Sequence, residues 1–280
     1  MKNHTFNGLN ISKNHFHMKQ KLLSILLIIN LQTVILAFLA VLSTFFCIRF
    51  DFKADFPFSL IATSIVFPIV FSIGGAYKRR EAALREYAVI KGYLRSIYYV
   101  PRDWLTETDE ATMEKIGKLI HDFFSNFRHM FTHPKKDLAE NEVKIYNNFS
   151  DLSQFIKEDL RDKGLSAGEC SRTNQYLSKI ITSYETIKHI YQYRTPKSLR
   201  SFSSLFITIL PILYGPYFAF MAEEMTAGLA YITPVLLTMI LVGLENIQEH
   251  LENPFDLVGV DDIKFNVEKF VDLLPYQKED

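Results

Sequence analysis

Only two cysteines, Cys47 and Cys170, occur in the 280 residues. A pair so far apart offers neither a disulfide framework nor the repeated spacing of a zinc site, so both thiols are expected reduced. The 31 basic residues are matched by 31 acidic ones, and the global excess of lysine and arginine that marks nucleic-acid binding is lacking. The chain has no Walker loop, dinucleotide-binding glycine pattern, nucleophile elbow or zinc-protease helix, so no enzyme chemistry is expected. Internal repeats and low-complexity linkers are missing too. The most informative absence is of charge itself, from four long stretches.

Those stretches run over 22–48, 56–77, 201–222 and 225–244. Each reaches the roughly 20 residues that span about 30 Å of hydrocarbon as a helix. They come as two pairs separated by a polar segment, which predicts an all-α membrane protein with four transmembrane helices in two hairpins. The divisions that follow are an N-terminal segment 1–21, a first hairpin 22–77, a helical region 78–200, a second hairpin 201–244 and a C-terminal segment 245–280. The first apolar run is longer than the core of a cleaved signal peptide and lacks its small-residue exit, so it reads as a retained helix.

Local charge sets the orientation. Lys2, Lys13, Lys19 and Lys21 precede the first span with no acid among them, and Lys78, Arg79, Arg80, Arg85, Lys91 and Arg95 follow the second against Glu81 and Glu86. Both flanks read as cytoplasmic. The turn with Arg49, Asp51, Lys53 and Asp55 and the turn with Glu223 and Glu224 then face outward, leaving both termini and the middle region inside. The triplets at Asn10 and Asn148 fit glycosylation acceptors but fall on the inner side. With no targeting extension in view, a bacterial inner membrane or a plasma membrane is expected in preference to an organelle.

Between the hairpins, apolar residues recur at three- and four-residue intervals, the period of amphipathic helices. One stripe holds Leu84, Tyr87, Ile90, Tyr93, Leu94 and Ile97; the next holds Met113, Ile116, Ile120, Phe123, Phe127 and Met130. A third runs through Val143, Tyr146, Phe149, Leu152, Phe155 and Ile156, and a fourth through Leu177, Ile180, Ile181, Tyr184, Ile187 and Tyr191. Pro101, the cluster 106–109, Pro134, the stretch 164–168 and Thr195-Pro196 punctuate them.

Several groups invite a functional reading. His121, His129 and His133 could offer metal ligands, but no carboxylate or thiol completes a spacing, and a surface or capping role fits them better. Thr63, Phe67 and Phe71 follow one another at four-residue steps on one face of the second span. Such a stripe is helix packing in a single bundle and a set of pore rings in an oligomer. Pro68, Pro211, Pro216 and Pro234 fall inside spans, where they mark either kinks or a cavity. After the fourth span, Glu245, Glu249 and Glu252 share a helix face, Pro254 stops the helix, and Asp256, Asp261 and Asp262 form an oxygen-rich turn: a calcium-binding or a purely structural one.

Taken together, three marks make the chain resemble the bestrophin family of anion channels: Glu252-Asn253-Pro254-Phe255-Asp256 after the last span, Ala76-Tyr77-Lys78-Arg79 after the second, and Arg194-Thr195-Pro196 before the third. The resemblance implies a homopentamer in which the second span lines a central pore. Thr63, Phe67 and Phe71 then fall on the pore neck and Lys78, Arg79 and Arg80 at its cytoplasmic mouth. It further implies chloride or other small monovalent anions as the species carried, the lipid bilayer and other copies of the chain as partners, and calcium as a ligand to be tested at the acidic turn. Two other readings share the membrane topology: a secondary transporter, and a membrane anchor whose cytoplasmic helices bind a partner protein. No acid lies in any span to couple an ion to transport.

Overall fold

The computed structural model describes residues 29–133, 137–193, 196–224, 228–257 and 262–274. All regular structure among them is helical. The chain divides into two compact units: residues 1–78, 195–254 and 258–261 form unit 1, and residues 79–194, 255–257 and 262–280 form unit 2.

Unit 1 begins with α1, Leu31–Arg49, whose start is a capping box. The Asn30 side chain accepts from the Thr33 backbone N–H at 3.0 Å, and the Thr33 hydroxyl accepts from the Asn30 N–H at 3.3 Å, satisfying two amide groups that a helix end leaves open. Residues 22–28 of the first predicted span lie outside the described residues. Helix α2, Phe58–Asp103, runs 46 residues without a break. Pro68, Gly74 and Gly75 do not interrupt it, nor does the predicted span end at Tyr77. Pro101 falls in its last turn instead of before a new element.

Helices α3, Glu110–Thr132, α4, Leu138–Gln154, and α5, Ala167–Gln192, belong to unit 2, and the second hairpin comprises α6, Lys197–Leu213, α7, Gly215–Met221, and α8, Leu229–Glu252. The third predicted span is therefore two helices, bent by 40° at Tyr214. The break falls just before Pro216, which sits in the first turn of α7 and has no N–H to donate to the helix behind it. A Cβ at Gly215 would overlap Ser43 and crowd Cys47 of α1 at 3.2 Å, so only glycine lets the chain turn this close to α1. Helix α1 packs against α6, α7 and α8, with Leu36, Ile65, Ile69, Ile207, Leu210, Tyr214 and Leu241 in the shared core. Three described helices are long and apolar enough to cross a membrane, four if α6 and α7 count as one broken span. At the turns, Lys53 bonds Asp51 at 2.5 Å and Glu223 at 2.6 Å, tying one hairpin tip to the other.

Unit 2 holds the rest of α2 with α3, Glu110–Thr132, α4, Leu138–Gln154, and α5, Ala167–Gln192. The short helix α9, Val267–Asp272, returns to pack on α3. Helix α4 runs directly into a π-helical turn, Phe155–Leu160. Asp109 and Ser166 cap α3 and α5 through the N–H groups of Thr112 and Glu169. The predicted stripes meet in one aromatic-rich core with Phe255, Phe265 and Phe270. Val143 and Tyr146 depart from it, both exposed, because α4 turns Asn141, Ile145 and Asn148 inward instead. Asn148 accepts from Asn126 at 2.8 Å and is buried, which leaves no acceptor for a glycan at that triplet.

Candidate functional site: an uncovered face of α2

The part of α2 in unit 1 has two unlike faces. Ile65, Ile69, Ser72 and Ala76 are buried, at three- and four-residue intervals that keep them on one side of the helix. About half a turn away, Leu60, Thr63, Phe67, Val70 and Phe71 are exposed. Phe67 and Phe71 leave 61% and 63% of their surface free, and their rings meet edge to face at 4.6 Å. Among the described residues nothing else in unit 1 covers them. The Thr63 hydroxyl donates to the Ser59 carbonyl at 2.7 Å, so its polar group is satisfied within the helix and its methyl side is left to the open face.

The open face continues past the phenylalanines. Gly74 has free space where a side chain would be, and Lys78, seven residues after Phe71 and thus two turns along the same stripe, is exposed. Thr63, Phe67, Phe71 and Lys78 are brought together as one line. Arg79 and Arg80 fall in unit 2, where Arg80 bonds Glu81 at 2.6 Å.

The other sequence candidates do not converge. Asp256 is exposed, Asp262 is buried and Asp261 lies outside the described residues. Among the described residues no three His, Cys, Asp or Glu side chains are grouped to hold a metal ion. His133 ends α3 by donating its backbone N–H to the His129 carbonyl, and the two imidazoles stack at 3.6 Å. Of the Asn-Pro-Phe box, Phe255 is an anchor: it is buried in unit 2 against Phe131 and Tyr191, with ring centroids at 5.3 and 5.8 Å.

A polar feature of unit 1 escaped the sequence reading. Glu252, buried at the end of α8, accepts from Arg200 at 3.2 Å and from Gln248 at 3.0 Å. Beside this pair opens a cleft of about 550 Å³ lined by Ser201, Ser203, Ser204, Thr208, Glu245 and Glu249 among others. The shared helix face of Glu245, Glu249 and Glu252 was the available signal; the serines of α6 that complete it are spread over a stretch that reads as a plain membrane span.

No protein-family model matches the sequence, and no curated protein matches it. The fold has solved counterparts. A mutant of a bacterial bestrophin homologue from Klebsiella pneumoniae superposes with a TM-score of 0.70 at 15% identity, over 88% of this chain and 100% of that one. The same homologue phased on zinc gives 0.67 at 16% identity, over 86% and 93%. A structure described as a membrane protein gives 0.70 at 16%, over 86% and 97%. The chain has the bestrophin fold.

Proposed function

We propose that this chain is the subunit of a bestrophin-like ion channel, a homopentamer set in a lipid bilayer, in which α2 of each copy lines a central pore for chloride or other small monovalent anions. The observation that carries this reading is the line Thr63, Phe67, Phe71, whose large rings are left bare on a helix that is packed on its other side. Copies arranged about an axis turn each bare side chain into a ring. Two tiers of phenyl rings narrow the passage and make conduction depend on wetting, and ring edges carry partial positive charge toward a passing anion. Lys78 on the same stripe, followed by Arg79 and Arg80, raises the local anion concentration at the cytoplasmic mouth. Residues 22–77 and 201–244 are the membrane hairpins in this reading, 78–200 is cytoplasmic, and both termini are inside. The turn with Asp256, Asp261 and Asp262 is structural, and calcium does not drive opening.

Purified protein in planar bilayers tests the proposal. Stepwise chloride currents and five-fold particles in electron micrographs are expected, with Phe71→Ala passing more current than the parent because the ring that excludes water is gone. Unchanged conductance in both Phe67→Ala and Phe71→Ala, with assembly intact by size-exclusion, would remove the neck.

A further inference from the structure

A second concavity lies wholly within unit 2. Between α2 and the C-terminal segment that carries α9 there is an open cleft of about 420 Å³, and its charge is of one sign. Lys91 and Arg95 reach it from α2, Lys264 and Lys269 from the C-terminal segment, with the amide of Asn266 beside them and no Asp or Glu in the lining. Among the described residues none of these four cations has a carboxylate partner, while neighbouring Glu268 is engaged by Arg128 at 2.7 Å. Gathering like charges without a counter-charge is unfavourable, and it creates a strong local potential for an anion.

Aromatic rings position two of the cations. The Lys91 ammonium stands 4.7 Å from the ring centre of Tyr87, and the Arg95 guanidinium 5.2 Å from that of Phe270. A ring face holds a cation in place without neutralising it. Away from the cleft, Tyr87 stacks on Phe127 and Phe270 meets Phe124 edge to face, so both rings are buried in the core. No bare ring face is left on which a nucleobase could stack.

We propose that this cleft binds a compact, multiply charged phosphoryl anion of the pyrophosphate type. A single chloride does not require four cations, whereas adjacent phosphoryl groups present several oxygens to the fork of Arg95, to three ammonium groups and to the Asn266 amide. The same chemistry occurs in soluble polyphosphates and in phosphorylated lipid headgroups.

Calorimetric titration of the full-length, detergent-solubilised protein with sodium pyrophosphate tests this without any current being measured, so it stands or fails apart from the channel reading. Binding that weakens with salt is expected. Lys264 and Lys269 are both exposed, so the double variant Lys264→Gln plus Lys269→Gln keeps its core; it should bind ~100-fold more weakly, about tenfold for each lost charged contact. Lys144→Gln, whose ammonium pairs with Glu140 on α4, should bind as the parent does. Phosphatidylcholine vesicles containing phosphatidylinositol bisphosphate are then added to the loaded protein: displacement of pyrophosphate assigns the cleft to a lipid headgroup, and retention assigns it to a soluble phosphate. Absence of binding by the parent, or equal affinity in the double variant with its size-exclusion profile unchanged, would overturn the site.

Discussion

In unit 2, Phe123, Phe124, Phe127 and Phe131 are buried against one another, whereas in unit 1 Phe38, Phe45, Phe46, Phe67 and Phe71 stand exposed on the helices that carry them. One residue type is thus used in opposite ways on one chain. Unit 2 follows the rule for water: an apolar stripe faces the core and charge faces out. In unit 1 the apolar residues encircle the helices, and on the faces turned to neighbours small or hydroxyl side chains such as Ala40, Thr44 and Gly215 sit among larger ones such as Leu36 and Phe218. Helices in hydrocarbon gain nothing by hiding leucine from lipid, so close packing of small residues and internal hydrogen bonds hold them together.

The largest expected effect tests the buried side of that contrast. Phe127→Ala in unit 2 should destabilise by about 3–5 kcal/mol, read as a lower melting temperature of the helical signal. Phe38→Ala in unit 1 should change it far less; equal losses would erase the distinction. Next comes charge. Phe38→Lys places an ammonium near the middle of α1 and should cost about 2.5–3.5 kcal/mol in membrane insertion, measured as the inserted fraction after expression, while Val143→Lys on the wet face of α4 should stay within about 0.5 kcal/mol.

Much of this contrast is legible in the sequence. Charge-free runs and amphipathic stripes need only local composition, which is enough to predict paired spans over 201–244. Pro211 and Pro216 mark the third span as interrupted, but the close approach of Gly215 to Ser43 is not visible, because that residue is far away in the chain. The unbroken course of α2 past Tyr77 was hidden for a different reason: the sequence marks a change of surroundings from apolar to charged, and a helix passes through such a change without interruption when its backbone bonds are met throughout. Thr63, Phe67 and Phe71 could be aligned by spacing alone, but their exposure depends on what α1, α6 and α8 leave uncovered. The basic cleft was beyond reach, since Lys91 and Lys269 are far apart in the chain.

Helix starts sharpen the comparison with smaller effects. In unit 2, α3 and α5 begin with side-chain caps and α4 does not; in unit 1, α1 begins with a capping box while α6, α7 and α8 begin without a side-chain cap. Ser166→Ala should cost about 1 kcal/mol in thermal unfolding; a neutral result would mean that the tertiary contacts of α5 alone fix its first turn.

The smallest effect concerns pH. Burial disfavours the Lys188 ammonium, but hydrogen bonds with Glu142, Glu185 and Tyr146 outweigh it and hold its pKa above the ordinary lysine value. A raised folded-state pKa means that this contribution is complete below the unfolded value of about 10.4 and is lost as pH climbs through the folded one. The melting temperature should therefore hold from neutral pH to about pH 10 and sag beyond it, and Lys188→Met should lessen the sag. An identical alkaline profile in the variant would assign it to other groups.

Asn30 does two jobs with one amide. Its oxygen caps α1 through the Thr33 N–H, and its nitrogen donates to Asn246 of α8 at 3.1 Å. Two greasy rods lying side by side can screw past each other with little resistance, since each step of about 1.5 Å and 100° exchanges one apolar neighbour for another. Here a single step would strip the amide of its reach to α8. The side chain that begins α1 is therefore also an index mark, fixing at which notch along α8 the first helix comes to rest.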